Sequence, residues 1–170
     1  MGLVFSQMQK EPDIVSIKKP IQFVGLLIRT NVKSIYKDAA RIGKKYRDFK
    51  KISSIPNLKE PWNFVAYSKD FDEKTKSWDY IMGDVVSDLH SVPEGLKGYT
   101  IPAGMYAVFT IKVNYRFMWG LEIGRMKKYI FSSWLPNSLY RASGDEFELH
   151  DQRSTGRLPS IDLYVGIIKN

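Results

Sequence analysis

Apolar residues at helical spacing mark a long amphipathic helix in the first third of the chain. Its buried stripe recurs every three or four positions and consists of Val32, Ile35, Tyr36, Ala39, Ile42, Tyr46 and Phe49. Asn31 stands where it can cap the first turn. A second helix is predicted from roughly Phe117 to Trp134, because Trp119, Ile123, Met126 and Ile130 keep the same spacing.

Elsewhere apolar and polar residues alternate, which predicts strands, and the order of segments repeats. The two halves, 13–89 and 96–170, each contain an extended apolar segment, a helix and two closing strands. The last strands align without gaps, Trp78–Val86 over Ile161–Lys169, with an Asp and a Gly in the same places. We therefore predict an α+β fold of duplicated β-α-β-β repeats with pseudo-twofold symmetry. It has an antiparallel sheet, helices on one face and a ligand cleft between the repeats.

The pattern indicates a single domain over residues 13–170. Residues 91–95 between the halves carry the Pro and Gly that are typical of a boundary. Residues 1–12 match neither half and are expected to be loosely ordered. A chain of 170 residues that is 44% hydrophobic can bury a sizeable core.

Composition excludes several kinds of site. The chain has no cysteine, so disulfides, thiolate catalysis and zinc-thiolate sites are ruled out. Its histidines, His90 and His150, lie far apart in sequence, and we expect no metal site. No phosphate-binding glycine loop or serine-hydrolase elbow is present, and no cofactor is expected. No apolar stretch is long enough to span a membrane and no leader is visible, so we expect a cytoplasmic protein.

The net charge of +8 concentrates on the predicted first helix, residues 32–51. Its basic residues are Lys33, Lys37, Arg41, Lys44, Lys45, Lys50 and Lys51. A solvated helix face is the ordinary interpretation, and no motif for direct DNA binding accompanies the charge. A protein partner that docks on this helix is left open.

A short acidic strand near the end of the chain contrasts with this basic balance. Asp145–Asp151 holds four carboxylates within seven residues. Alternation places Phe147 and Leu149 on one face and Glu146, Glu148 and His150 on the other. If the apolar face packs on helices, the glutamates face a cavity on the opposite side. A carboxylate between aromatic walls suits a cationic ligand.

Three blocks, in this order, resemble the GyrI-like small-molecule-binding domain. They are Tyr99–Phe109, Trp134–Ser138 and Phe147–Asp151. This domain is also the effector-binding part of bacterial multidrug-responsive and AraC-type transcription activators, and the chain looks like a stand-alone member. The resemblance implies a ligand cleft in which Glu148 is the main polar anchor. His150 stands where the family usually has a tyrosine.

Aromatic residues supply the candidate walls of that cleft. Tyr67 lies on the first-half strand that corresponds to the strand of Glu148, and is predicted to share its face and to meet it across the cleft. Further candidates, for which core packing is the alternative, are Tyr80, Tyr106, Trp134, Tyr140 and Tyr164.

Two functions fit a cleft of this kind, and a third uses the basic helix over residues 32–51 instead. The first is binding of a lipophilic, cationic or planar aromatic molecule in order to sense or sequester a toxic compound. The resemblance also implies a hydrolase that opens strained cyclopropane rings of DNA-alkylating natural products, with Glu148 activating water and Tyr67 donating a hydrogen bond. The third is a gyrase-inhibitor-like interaction protein. The sequence does not separate them.

Overall fold

An eight-stranded antiparallel sheet forms the body of the protein in the computed structural model, which describes residues 11–170. The expectation for residues 1–12 falls almost wholly outside this range. The strands are β1 (Asp13–Ile17), β2 (Ile21–Asn31), β3 (Phe64–Asp72), β4 (Ser77–Val85), β5 (Lys97–Ile101), β6 (Gly104–Lys112), β7 (Tyr140–His150) and β8 (Ser160–Lys169). Their order across the sheet is β1-β6-β8-β7-β3-β4-β2-β5.

Two α-helices lie on the sheet, α1 (Ile35–Ile52) and α2 (Trp119–Tyr129). α1 begins three residues later than predicted, and its N-cap is Ser34, which forms no side-chain cap hydrogen bond. The Asn31 side chain instead accepts hydrogen bonds from the backbone N–H groups of Lys33 and Ser34 in the turn before the helix, so the prediction that Asn31 caps the first turn is wrong. The predicted second helix is shorter than expected, since a π-helical turn, Ile130–Trp134, follows α2. Neither helix in the described part of the chain is both long and apolar enough to cross a membrane.

The predicted α+β class with an antiparallel sheet is confirmed, but each half has two strands before its helix, so the order is β-β-α-β-β and not the predicted β-α-β-β. Exchanging the strands of the first half (β1–β4) with those of the second (β5–β8), in sequence order, returns the same strand order. Strand order alone does not superpose the two halves, so their pseudo-twofold symmetry stays a prediction.

Short connections force the sheet to curl. β1 and β2 are six strand spacings apart in the sheet order, about 29 Å if the sheet were flat. The connection from Ile17 to Ile21 spans at most about 14 Å. β5 and β6 are equally far apart and are joined by Pro102 and Ala103 alone. The two edges of the sheet must therefore approach one another and enclose one face.

The enclosed inner face carries a dense aromatic core. Its buried members are Phe23, Val65, Tyr67, Ile81, Val85, Ile101, Tyr106 and Phe147. The Phe147 ring stacks on Tyr164 with 4.4 Å between centroids, and Tyr106 packs edge-on against both rings. The edge strands contribute Val15, Ile17 and Tyr99, so the curled sheet covers this face with its own residues.

Both helices pack on the outer face. Ile42 of α1 packs with Ala66, Tyr80 and Met82, and Met126 of α2 packs with Phe109 and Leu163. Ala66 and Leu163 flank Glu148 in register, so Glu148 lies on this same face. The expectation that the apolar face of its strand packs on helices is therefore wrong: Phe147 faces the enclosed side, and Glu148 lies under the helices.

Candidate functional site

Glu148 is a buried carboxylate without a partner. It is 8% exposed, between Ala66 of β3 and Leu163 of β8. No residue in 11–170 donates a hydrogen bond to it or forms an ion pair with it. Burial raises the pKa of Glu148 above its ordinary value, Lys127 lowers it, and Glu146 raises it further. Burying an unpaired charge is costly, which makes such a group a candidate for function.

The nearest cation is already engaged. Lys127 on α2 forms a 2.7 Å ion pair with Glu146, which lies two residues before Glu148 on the same face of β7. Although burial opposes the ammonium charge, Glu146 and Glu148 hold the pKa of Lys127 above its ordinary value. Glu146 thus satisfies Lys127 and leaves Glu148 with only a long-range attraction.

Two predicted site residues lie beside Glu148. His150 is two residues further along the same face, and its ring packs edge-on against Phe64 and Trp119, 5.8 and 6.2 Å between centroids. Burial lowers the pKa of His150 to about 4, so it is a neutral aromatic group at pH 7. On β4, burial and the nearby Glu148 charge raise the pKa of Tyr80.

Tyr36 covers the row of Glu146, Glu148 and His150 on β7. Its hydroxyl reaches from α1 to α2 and donates a 3.3 Å hydrogen bond to the Gly120 carbonyl oxygen. A Cβ at Gly120 would lie 3.0 Å from the Tyr36 ring, and a Cβ at Gly124 would lie 3.0 Å from its hydroxyl oxygen. α2 runs alongside β7, because Trp119 contacts His150 and Lys127 contacts Glu146. Gly120 and Gly124 lie between these two contacts on α2, just as Glu148 lies between His150 and Glu146 on β7. The Tyr36 ring, which packs against the two glycines, therefore lies over Glu148.

A cavity of about 720 Å³ opens next to Glu146, within the range for drug-sized ligands. The turn before α1, the end of α2, the β3–β4 hairpin and the first half of β7 surround it. Its walls include Val32, Phe71, Trp78, Lys127, Phe131 and Glu146. Glu148 lies one pleat repeat beyond Glu146, about 7 Å along the strand.

The other predicted site residues do not join this group. Tyr67 pairs with Phe147 and not with Glu148, so it points to the enclosed face, where its hydroxyl donates to Asp145. Because a one-residue offset in register reverses the face of a side chain, the predicted meeting of Tyr67 with Glu148 is wrong. Tyr106 and Tyr164 share the enclosed face.

Trp134 and Tyr140 form a separate aromatic group. Their rings stack at 6.3 Å, and Trp134 packs edge-on against Phe109 at 5.3 Å, in the core under α2. This leaves Glu148, Tyr80 and His150 as the predicted residues that the structure brings together.

Sequence reasoning missed three contributors to the site. Tyr36 was predicted as part of the α1 core stripe, although it is 64% exposed and reaches α2. Lys127 and Trp78 lie on predicted elements without a feature that singles them out. A usable signal was the Gly120 and Gly124 pair, since two small residues one turn apart favour close approach of another side chain.

The basic face of α1 is partly paired within the helix. Lys44 and Lys51 contact Asp48, and Arg41 contacts Asp38. A protein partner for this face stays a prediction. Across residues 11–170, no three His, Asp or Glu side chains cluster in a way that holds a metal ion.

Comparison with known proteins places the chain among effector-binding domains. The sequence model of the Cass2 family, described as integron-associated effector binding protein, matches residues 14–167. The transcriptional regulator BrlR of Pseudomonas aeruginosa is 32% identical over 107 residues, which is 61% of this chain and 38% of BrlR. The match thus spans well under half the length of that relative.

Solved structures share the fold. The integron cassette protein VCH_CASS2 of Vibrio cholerae aligns with a TM-score of 0.66 over 96% of this chain and 99% of its own, at 10% identity. A protein described as SAV2435 bound to tetraphenylphosphonium aligns with a TM-score of 0.67 over 97% and 94% of the two chains, at 12% identity.

Proposed function

Because the chain belongs to the integron-associated effector-binding family, we propose that Glu148 anchors its small-molecule ligand. The ligand is a lipophilic molecule that is cationic or planar aromatic. By binding it, the protein senses or sequesters a toxic compound. The observation that carries the proposal is the state of Glu148: 8% exposed, unpaired, and beside Tyr80, His150 and the cavity.

A bound cation would exchange its hydration shell for groups of the protein. A lipophilic cation that leaves water loses its hydration, and a carboxylate together with ring faces can replace it. Glu148 is meanwhile destabilised by burial, which raises its pKa, so a bound cation would relieve that cost. SAV2435 is described as bound to tetraphenylphosphonium, a lipophilic cation, which supports this class of ligand as a starting probe.

Entry to Glu148 requires Tyr36 to move. Its side chain is 64% exposed and holds α2 through one 3.3 Å hydrogen bond. An exposed hydrogen bond of this length contributes about 1 kcal/mol or less, so displacing the roof costs little.

The alternative functions gain no support. Hydrolysis by Glu148 with Tyr67 needs both side chains on one substrate, but they lie on opposite faces of the sheet. The gyrase-inhibitor-like role rests on the basic face of α1, where Arg41, Lys44 and Lys51 already form ion pairs with Asp38 and Asp48 of the same helix.

The test is calorimetric titration of tetraphenylphosphonium into the wild-type chain and into Glu148→Gln. We expect a loss of affinity of about 30-fold or more, since a charge interaction of this kind is worth about 2 kcal/mol. Glu122→Gln is the matched control, because Glu122 is a second buried glutamate, 2% exposed, and pairs with Arg125. Its affinity should stay within about threefold of wild type.

Two outcomes would contradict the proposal: no heat of binding in the wild-type chain, or equal affinity in the wild type and Glu148→Gln. Equal losses in both glutamate variants would show a general effect of buried charge and would also contradict a specific anchor.

A further inference from the structure

We propose that the cavity beside Glu148 holds an anionic group of the same ligand. The ligand is then amphoteric: a planar aromatic cation that also carries a carboxylate. This inference rests on the proposed function, since it takes Glu148 as the anchor of the cationic part. It adds a second subsite, made by Trp78, Ser68 and Lys128.

Trp78 holds a buried donor without an acceptor. Its indole Nε1 is shielded from solvent and has no hydrogen-bond partner among the described residues. Among side-chain nitrogen and oxygen atoms of residues 11–170 that are completely shielded from solvent, it alone lacks a partner. Trp78 is also part of the cavity wall. Leaving such a donor unpaired costs about 1–3 kcal/mol, which a ligand oxygen would recover.

Two more donors on the wall are free. The Ser68 hydroxyl and the Lys128 ammonium both line the cavity, and no described residue forms a hydrogen bond or ion pair with either side chain. Indole N–H, hydroxyl and ammonium groups together match a carboxylate, whose two oxygens accept several hydrogen bonds.

The carboxylates that line the cavity already have ion-pair or hydrogen-bond partners in the protein. Glu73 pairs with Lys76 at 2.6 Å, and Glu146 pairs with Lys127 at 2.7 Å. Asp145 accepts the hydrogen bond of Tyr67. Lys69 pairs with Asp70, so the remaining cation on this wall, Lys128, has no negative counterpart among the described residues. A ligand with positive charge alone would leave these donors unmatched and would approach a chain of net charge +8.

Strand register sets the size of the ligand. Ser68, in register with Glu146, lies one pleat repeat along the sheet from Glu148, about 7 Å, and Trp78 of β4 lies a second pleat repeat further. A fused aromatic system of three rings with an attached carboxylate-bearing ring spans the distance from Glu148 to these donors. Access to Trp78 Nε1 requires a neighbouring ring to shift, and Phe71, 48% exposed and 6.1 Å from Trp78 between centroids, is the candidate.

The test compares two dyes that differ in one group. Rhodamine 110 is a planar cation with a free carboxylate, and rhodamine 123 is its methyl ester. We expect the wild-type chain to bind rhodamine 110 about tenfold more tightly in a fluorescence anisotropy titration, as one to two hydrogen bonds to a charged group provide. Equal affinities would overturn the inference.

Variants assign the preference to the subsite. Trp78→Phe and Lys128→Gln should each reduce the preference for rhodamine 110 over rhodamine 123 to about threefold, and the double variant should abolish it. The controls are Trp134→Phe, in the core under α2, and Lys37→Gln, on the solvent side of α1, and both should keep the tenfold preference. A preference that survives in the double variant would overturn the inference.

Glu148→Gln separates this inference from the proposed function. It should weaken both dyes and leave their ratio unchanged. Equal binding of the two dyes, with loss of both in Glu148→Gln, would overturn the amphoteric ligand and keep Glu148 as the anchor. Unchanged affinities in Glu148→Gln, with the carboxylate preference intact, would overturn the anchor and keep the anion subsite.

Discussion

Both faces of the sheet are rich in aromatic residues, but the part of the outer face beside the cavity treats polar atoms differently from the enclosed face. On the enclosed face, Tyr67 donates to Asp145 and Tyr106 donates a 2.7 Å hydrogen bond to the Pro102 carbonyl oxygen. On the outer face, neither the Glu148 carboxylate nor the indole nitrogen of Trp78 has a hydrogen-bond partner within residues 11–170. Aromatic residues alone therefore do not mark a site in this fold. Unsatisfied polar groups beside them do.

Phe147 and Glu148 bring that contrast down to neighbouring positions on one strand. Phe147 is fully packed between Tyr106 and Tyr164, whereas Glu148 lies under the helices beside a cavity. A substitution of Phe147 should therefore lower stability, whereas a substitution of Glu148 should mainly weaken ligand binding.

The largest effect is expected for Phe147→Ala. Removing a buried ring that stacks on Tyr164 should lower the free energy of unfolding by about 3–5 kcal/mol, measured by urea denaturation. Phe147→Leu, which keeps most of the volume, should recover more than half of this loss. A loss below about 1 kcal/mol for Phe147→Ala would show that the enclosed face is not the main core.

The next effect is a pH dependence that comes from His150. Its pKa in the folded protein is about 4, because burial favours the neutral ring, and the unfolded chain takes up the proton near the ordinary 6.5. The contribution of His150 to the free energy of unfolding is therefore fully present above pH 6.5, and it falls by roughly 3 kcal/mol as the pH drops to 4.

His150→Phe isolates that contribution from the carboxylates that titrate in the same range. The difference in unfolding free energy between His150→Phe and wild type should grow in favour of the variant as the pH falls from 6.5 to 4. Parallel pH profiles would contradict a buried, neutral His150.

A smaller effect of opposite sign is expected for the stability of Glu148→Gln. Since burial raises the pKa of Glu148, the fold disfavours its charged form. Above the raised pKa the carboxyl group is ionised, and its full desolvation cost reduces the free energy of unfolding. At pH 7.5 the variant should be more stable by about 1 kcal/mol. Lys127 keeps its ion pair with Glu146 in the variant. A destabilised variant would indicate that Glu148 holds the fold together.

The smallest effect on stability is expected for Tyr36→Ala. The side chain is mostly exposed, so unfolding should change by less than about 1 kcal/mol. Removing the roof should instead raise both the association and dissociation rates of tetraphenylphosphonium, which stopped-flow fluorescence measures. Tyr115→Ala, at another exposed tyrosine, is the control. Unchanged rates would show that Tyr36 does not cover the route to Glu148.

Sequence periodicity was sufficient to predict the main helix and to place Phe147 and Glu148 on opposite faces of their strand. The stripe from Ile35 to Phe49 predicted α1, and alternation separated Phe147 from Glu148. Local pattern alone controls these features, because helices and strands have fixed repeats of about 3.6 and 2 residues.

Features set by the whole sheet were not predictable in this way. Which face the helices cover depends on the curl that the short β1–β2 and β5–β6 connections impose. The face of Tyr67 depends on its register against β7, where one residue decides the outcome. The same holds for Tyr36, whose contact with α2 arises from tertiary packing of residues far apart in sequence.

The most direct test of the account is the pKa of Glu148 itself, with and without a bound cation. Carbon-detected NMR of the carboxyl carbon, assigned by its absence in Glu148→Gln, gives this value in both states. The account predicts a pKa above the ordinary value of about 4.3 in the free protein and a clear fall when tetraphenylphosphonium saturates the site. A free-state pKa at or below the ordinary value, or no change on binding, would contradict it.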